Sequence, residues 1–234
     1  MSFLGFSGRR WLQFFGMLTG LLLSAWAIFA VVSGWAPGRA SYPQQGINVS
    51  HHQGSIQWPA VRAEGVDFAY IKASEGGDVR DAQFATNWNG ARDAGITRGA
   101  YHFFTLCRLA SDQAANFIAI VPREKDALPP VVDLEFGGNC KARPDPAVLL
   151  GELTTFITMV EAHSEAPVML YVTQEFDEFY QISQNIDRPL WLRRILFPPD
   201  YGARPWVMWQ VNPRRRINGI EGPVDWNVVR SNAE

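Results

Sequence analysis

The chain has 234 residues, of which 47% are apolar and 19% charged, and this composition excludes an intrinsically disordered protein. Its formal charge is −2, and the first forty residues contain three arginines and no acid, so the remainder is more acidic than the whole. A mildly acidic body lacks the basic face that nucleic acids require, and we therefore expect no nucleic-acid partner.

An uncharged and strongly apolar segment occupies residues 11–34. It is longer than the about 20 apolar residues that a helix needs to cross a bilayer. Because Arg9 and Arg10 precede it, residues 1–10 are predicted to be a basic cytoplasmic N-terminus and the body to be exported, to the periplasm or the extracellular space. We therefore predict a transmembrane signal anchor at 11–34, with a cleaved signal peptide and a secreted body as the alternative.

A proline-containing linker, residues 35–45, leads into the first predicted strand, "GINVS". This strand ends near Asn48, at the C-terminal edge where α/β folds usually bind ligands. His51 and His52 follow directly. Adjacent residues on an extended chain point apart and no third ligand accompanies them, so a hydrogen-bonding role is favoured over a metal site.

The next part of the chain alternates short β-rich runs with helical patterns. Four predicted strands are introduced by Gly or Pro, and they are 68–74, 98–104, 129–135 and 167–172. Three helices are predicted between them: one ends at Gly95, the second begins with Ser111 as its N-cap, and the third begins with Asp145. Such alternation is typical of a parallel sheet with right-handed crossovers.

The spacing changes in the last third of the chain. Predicted strands at 189–193 and 206–211 are separated by 12 residues, which is too few for a helical crossover, so loops are expected there. A run at 222–227 supplies an eighth strand. We therefore predict an irregular β/α barrel; a doubly wound sheet is the alternative, although no Gly-rich phosphate loop follows the first strand.

Two cysteines, Cys107 and Cys140, each follow a predicted strand by a few residues. An even pair in an exported chain makes a disulfide between neighbouring loops the default prediction. Two unpaired thiols are the alternative. A zinc site is not expected, because no CxxC or HxxxH spacing accompanies the pair.

Two carboxylates end the strand "PPVVDLE". Because side chains alternate along a strand, Asp133 and Glu135 point the same way, about 7 Å apart at the backbone. Like charges at that range raise one pKa, so that one group donates a proton while the other stays ionised. Hydrolysis of a glycosidic bond needs this division of labour. Two ordinary surface acids are the alternative, but the apolar run before them favours a buried strand.

Other polar and aromatic residues lie at or near strand ends, where aromatic rings suit the apolar faces of sugars. These candidates are Asn48, Lys72, Tyr101, Tyr171, Trp209 and Asp225. Each aromatic residue taken alone is better explained by the core than by a site. Their common position is what favours a binding site.

The motifs "GINVSHHQG", "FAYIKASEG", "RGAYHFF", "PPVVDLE", "PVMLYV", "MWQV" and "GPVDWN", in this order, resemble those of the glycoside hydrolase family 25 muramidases, the Chalaropsis-type lysozymes. The resemblance implies a catalytic domain at 46–234 with a flattened β/α barrel of five β/α units followed by three strands. It also implies cleavage of the β-1,4 bond between N-acetylmuramic acid and N-acetylglucosamine in peptidoglycan, without a metal or organic cofactor.

Carried over motif by motif, the resemblance implies that Glu135 is the general acid/base. It gives Asp133 the role of partner carboxylate, either a nucleophile or an orienter of the substrate's 2-acetamido group. Asp225 matches the acid of the terminal "VDxN" motif. Lys72, Tyr101, Tyr171 and Trp209 match positions along the substrate groove.

The resemblance fails at Asn48, where the family reads G-x-D-x-S and this chain reads "GINVS". An amide carries no charge and cannot take up a proton. We hypothesise that its neutrality lowers the pKa of Glu135 and shifts the pH optimum towards acid. The competing hypothesis is a non-catalytic peptidoglycan-binding module. A monomer is expected, and the sequence does not separate a phage endolysin from a cell-wall remodelling enzyme.

Overall fold

The computed structural model describes residues 8–138 and 140–231. The chain divides into two units, Met1–Trp35 and Ala36–Glu234. The first unit contains helix α1, Gly8–Gly34. Its stretch Gln13–Gly34 is long and apolar enough to cross a membrane, a test that a signal sequence also passes. Residues 1–7 of the predicted cytoplasmic N-terminus lie outside the described residues.

Among its described residues, the second unit contains nine strands. They are β1 Gln45–Val49, β2 Phe68–Glu75, β3 Val79–Arg80, β4 Thr97–Phe103, β5 Val131–Leu134, β6 Met169–Val172, β7 Leu190–Arg193, β8 Met208–Arg215 and β9 Val224–Val229. Eight of them form a closed ring in the order β1–β2–β4–β5–β6–β7–β8–β9, because β1 pairs with both β2 and β9. A barrel-like sheet of eight strands is therefore present, and a doubly wound sheet is excluded.

The helices are concentrated in the first two thirds of the ring. They are α2 Trp58–Ala63, α3 Phe84–Asp93, α4 Ala110–Ile118, α5 Pro146–Ser164, α6 Gln174–Tyr180 and α7 Ile182–Asn185. No helix is assigned between β7 and β8 or between β8 and β9, a region that is described throughout. The loops predicted between the strands at 189–193 and 206–211 are thus confirmed, whereas α6 and α7 show that the last third of the chain is not without helices.

Strand direction departs from the sequence prediction at one place. β9 runs antiparallel to both of its neighbours, β8 and β1, while the other neighbouring pairs in the ring are parallel. The connection between β8 and β9 is too short for a crossover, so the chain returns as a hairpin. The short strand β3, which pairs antiparallel with the end of β2, was not predicted.

The start of α4 corrects the predicted cap at Ser111. The helix begins at Ala110, and its N-cap residue, Leu109, makes no side-chain hydrogen bond. The carboxylate of Glu152, on α5, instead accepts a hydrogen bond from the Ala110 backbone nitrogen at 2.6 Å. A tertiary contact has replaced the local cap. At α5, by contrast, Asp145 accepts from the Ala147 nitrogen as a local cap does.

Alternate residues of the strands fill the barrel interior. A buried cluster there comprises Phe68, Tyr70, Val131, Met169, Tyr171, Trp191 and Met208. These side chains come from five strands and share the inward-facing register. Because side chains alternate on a strand, the residue two positions further along each strand also faces inward. On the parallel strands, these next positions lie at the carboxyl end of the barrel.

Candidate active site

Polar side chains replace the apolar ones at the carboxyl end of the barrel. Tyr70 is followed at this register by Lys72, and Val131 is followed by Asp133. A cleft of about 340 Å³ opens at this end. Its lining includes Asn48, Lys72, Tyr101, Asp133, Glu135, Tyr171 and Asp225. Seven of the eight residues selected from the sequence as catalytic or substrate-binding therefore meet in one cleft.

Asp225 lies in this cleft at the start of a strand, whereas Asp133 and Glu135 lie at or directly after the end of one. The sequence places it at the end of the last strand, whereas it lies at the start of β9, Val224–Val229. Because β9 is antiparallel to its neighbours, its start lies at the same end of the barrel as the ends of the parallel strands. Asp225 is directly opposite Asn48 in the pairing of β1 with β9.

Asp133 and Glu135 form a desolvated acidic pair in the cleft. One carboxylate oxygen of Asp133 is buried and has no hydrogen-bond partner. Burial, followed by the charge of Glu135, raises the pKa of Asp133 well above its usual range. Burial also raises the pKa of Glu135, against the opposing effect of Arg193. The pair is therefore prepared to hold a proton at a pH where isolated carboxyl groups are ionised.

A chain of amide hydrogen bonds holds Asp225. Its two carboxylate oxygens accept from Asn48 Nδ2 at 2.8 Å and from Gln210 Nε2 at 2.6 Å. Asn227 Nδ2 in turn donates to Asn48 Oδ1 at 2.9 Å. Burial raises the pKa of Asp225 to about 6, although the hydrogen bond from Asn48 favours the ionised form. The sequence analysis did not select Gln210 or Asn227.

Two cations balance the acids of the cleft. Lys72 Nζ lies 2.7 Å from Glu75 Oε2 and 4.9 Å from the centre of the Phe103 ring. Arg193 Nη1 lies 3.8 Å from Glu135 Oε2. The sequence analysis missed Arg193, although the β-strand period could have found it, since it lies two residues after the inward-facing Trp191.

Trp209 is the predicted groove residue that the structure places elsewhere. It follows Met208 and precedes Gln210, both of which face inward, so its ring points to the outside of the barrel. There it packs against Tyr42 and Trp206, with ring centres 5.8 and 6.0 Å away. Its indole nitrogen donates to the Arg194 carbonyl at 2.5 Å. Trp209 therefore contributes to the outer packing and not to the cleft.

A disulfide joins two loops next to the cleft. Cys107 and Cys140 are bonded, with Cα atoms 5.8 Å apart, which confirms the predicted pairing. Cys140 ends the short glycine-containing segment that follows Glu135, and Cys107 lies between β4 and α4. The bond therefore connects the chain that follows the carboxylate pair to the neighbouring strand's loop.

The histidine pair lies at the edge of the same cleft. His51 Nδ1 and the His51 backbone nitrogen both lie 2.8 Å from Asp81 Oδ2, and His52 lines the cleft. Within residues 8–138 and 140–231, no group of three or more His, Cys, Asp or Glu residues is placed to hold a metal ion. The geometry of this pair agrees with the hydrogen-bonding role predicted for it.

Comparison with known proteins gives matches over most of the second unit, Ala36–Glu234. Residues 47–220 match the family model described as glycosyl hydrolases family 25. The chain is 33% identical over 207 residues to lysozyme M1 of Streptomyces globisporus, covering 81% of this chain and 68% of that protein.

Solved structures of a family 25 glycosyl hydrolase and of a bacterial lysozyme also superpose on this chain. A family 25 glycosyl hydrolase from Bacillus anthracis superposes with a TM-score of 0.79 at 36% identity, covering 85% of this chain and 93% of that one. A bacterial lysozyme from Streptomyces coelicolor superposes with a TM-score of 0.70 at 30% identity, covering 81% and 93%.

Proposed function

The chain belongs to glycosyl hydrolases family 25 and is a glycoside hydrolase, and on this premise we propose that it is a muramidase acting on peptidoglycan. Its relatives include proteins named as lysozymes from Streptomyces globisporus and Clostridium acetobutylicum. The bond cleaved would be the β-1,4 bond between N-acetylmuramic acid and N-acetylglucosamine. The observation that carries the proposal is the desolvated pair of Asp133 and Glu135 at the carboxyl end of the barrel.

In the proposed reaction, Glu135 donates its proton to the glycosidic oxygen as the C1–O bond breaks. Its raised pKa supports this role, because a general acid must be protonated at the working pH. In this proposal the one proton that the pair shares is on Glu135, so that the ionised Asp133 stabilises the positive charge that develops at C1, either by direct attack or by orienting the 2-acetamido group. Glu135 then accepts a proton from the water that completes hydrolysis.

Tyr101 and Tyr171 supply aromatic walls to the proposed sugar site. Both line the cleft, and burial together with the nearby carboxylates raises the pKa of each phenol, so both hydroxyls stay neutral. Neutral phenols can donate hydrogen bonds to sugar hydroxyls while their rings contact the apolar faces of the sugar. Lys72 lines the same cleft and adds a positive charge.

The first test is the release of muropeptides from purified peptidoglycan by the wild type and by Glu135→Gln. We expect the substitution to lower kcat by about 100-fold or more, because the proton donor is lost while the side-chain shape is kept. Glu165→Gln is the matched control, since that side chain is 71% exposed and pairs with Arg123 at the surface. Binding of peptidoglycan without release by any variant would support the alternative, a non-catalytic module with Asn48 in place of an aspartate.

A muramidase of this kind would act outside the cytoplasmic membrane, where its substrate lies. The apolar helix α1 supports export as either a membrane anchor or a signal sequence. The proposed arrangement is a hydrolase domain on the outer side of that membrane, without a metal or organic cofactor. Its partners would be the glycan strands of the wall and, through α1, the lipid bilayer.

A further inference from the structure

Arg193 differs from other arginines of the barrel in its distance from the nearest described carboxylate. Arg188 places its guanidinium fork on Glu161 at 2.5 and 2.9 Å. Arg98 is 3% exposed and contacts both Glu124 and Asp126. These geometries satisfy the planar fork that arginine offers to carboxylates.

Arg193 has no such partner in the described part of the chain. The carboxylate within 4 Å of it there is that of Glu135, at 3.8 Å, which is beyond hydrogen-bond length. Its side chain is 38% exposed and lines the cleft. The other cation of the cleft, Lys72, is already paired with Glu75 at 2.7 Å. The Tyr171 hydroxyl is a hydrogen-bond partner of the Arg193 side chain. The guanidinium therefore faces the cleft with no carboxylate in its fork, and it keeps donors that Tyr171 does not use.

The backbone around Arg193 is fixed, so its position is not incidental. The Tyr201 hydroxyl accepts from the Arg193 nitrogen at 2.8 Å and lies 2.8 Å from the Val172 carbonyl oxygen, to which it donates. This contact ties the end of β7 to the end of β6. Trp191 packs against Tyr171 below it, with ring centres 5.1 Å apart. The strand thus presents Arg193 to the cleft from a rigid base.

We propose that Arg193 binds a carboxylate of the glycan substrate. The inference rests on the proposed muramidase function and deepens it. The cleft contains the acids Asp133, Glu135 and Asp225, which repel an anionic substrate, so a cation whose fork holds no carboxylate offsets that repulsion at one point. Muramic acid can present a carboxylate in two ways: as its own lactyl group when peptide-free, or through an attached peptide stem.

The test compares two pairs of soluble glycan oligomers. In the first pair, peptide-free strands carry lactyl groups as free acids or as methylamides. In the second pair, strands carry peptide stems whose carboxylates are free or amidated. We expect the wild type to prefer the acid form in one pair by about 10- to 100-fold in kcat/KM, the scale of a hydrogen-bonded charge, and that pair identifies the carboxylate.

Arg193→Gln is expected to lose this preference by slowing the acid form more than the amide form, mainly through KM, while any change in kcat through the pKa of Glu135 is shared by all four substrates. Arg193→Lys keeps the charge without the fork and should recover part of the preference. Arg194→Gln is the matched control, because that neighbouring arginine pairs with Asp200 at 2.5 Å and does not line the cleft. Equal rates on acid and amide forms in both pairs, or an equal slowing of all four substrates by Arg193→Gln, would overturn the inference.

Calorimetric binding separates this inference from the proposed function. The same four oligomers are titrated into the wild type and Arg193→Gln. Tighter binding of an acid form by the wild type, lost in Arg193→Gln, supports the inference even if no bond is cleaved. Cleavage without any acid preference in rate or binding leaves the muramidase proposal intact and refutes the role of Arg193.

Discussion

Asn48 donates one of the two hydrogen bonds that favour the ionised form of Asp225 against the effect of burial. Its amide nitrogen donates to Asp225 Oδ2 at 2.8 Å, and its oxygen accepts from Asn227. An aspartate at this position would remove the donor and bring a second carboxylate to the same distance. Two carboxylates that close share a proton and titrate as a pair, with one pKa strongly raised.

Asn48→Asp is therefore expected to raise the pKa of Asp225 above its present value of about 6. If the ionised form of Asp225 is needed in the reaction, the acidic limb of the kcat/KM profile moves to higher pH by about one unit. This shift to higher pH also agrees with our hypothesis that the neutral Asn48 lowers the pKa of Glu135. The measurement is the full pH dependence of kcat/KM on a soluble glycan oligomer.

The control for this substitution is Asn185→Asp, an exposed position on α7 whose amide donates to the Gln181 carbonyl. It adds the same charge outside the cleft and should leave the profile unchanged. A profile for Asn48→Asp that superposes on that of the wild type would refute the proposed coupling. A profile shifted to lower pH would reverse its sign and refute it equally.

At the scale of elements, Gly137, in the segment after β5, lies next to the carboxylate of Glu135. A Cβ atom added to Gly137 would lie 2.6 Å from Glu135 Oε1 and 3.5 Å from the Phe103 ring. A contact under 3 Å forces one group to move, and the end of the Glu135 side chain moves more easily than the backbone. The disulfide at Cys140 limits how far the segment itself can shift.

Gly137→Ala should therefore impair activity more than stability. We expect kcat to fall by about 10- to 100-fold, since a displacement of about 1 Å at a reacting group has that cost. The free energy of unfolding, measured by urea denaturation, should change by about 1 kcal/mol or less. Gly151→Ala on α5 is the control, because no described heavy atom outside its chain neighbours and its own helix backbone lies within 4 Å of the added Cβ, and activity should be unaffected. Unaltered kcat for Gly137→Ala would show that Glu135 tolerates the displacement.

Sequence patterns predicted the elements that depend on local information. The apolar spacing of α5 places Leu149, Leu153 and Phe156 in the core, and all three are at most 2% exposed. The carboxylate pair follows from the two-residue period of β5. These features need only the chain's own periodicity and turn residues, which is why they were accessible without a structure.

Features that depend on distant partners were missed. Ser111 has the composition of an N-cap, but Glu152 supplies the cap of α4 from another helix. Trp209 was placed in the groove because its strand ends there, and only the register of β8 against its neighbours shows that it faces outward. The strand period could have placed Arg193 at the cleft, but its approach to Glu135 at 3.8 Å is a tertiary contact. Register and tertiary contacts decide all three.

At the scale of the whole molecule, the chain joins two units of different character. The first contains α1, a helix whose described side chains are largely exposed and apolar. The second contains the complete eight-stranded ring and the cleft. Because the ring closes through the pairing of β1 with β2 and β9, every strand of the barrel lies within residues 36–234. This unit has the closed sheet and buried core that independent folding requires.

The corresponding prediction concerns residues 36–234 produced without the preceding segment. We expect this fragment to be soluble and to hydrolyse soluble glycan oligomers with the kcat/KM of the full chain, because its cleft is complete. The full chain, expressed in a bacterial host, should sediment with membranes and resist extraction by high salt, since a span of about 20 apolar residues inserts stably.

Mass spectrometry of the N-terminus decides between the two roles of α1: an intact chain in the membrane fraction indicates an anchor, whereas a soluble chain lacking α1 indicates a cleaved signal. An intact chain in the soluble fraction would refute both.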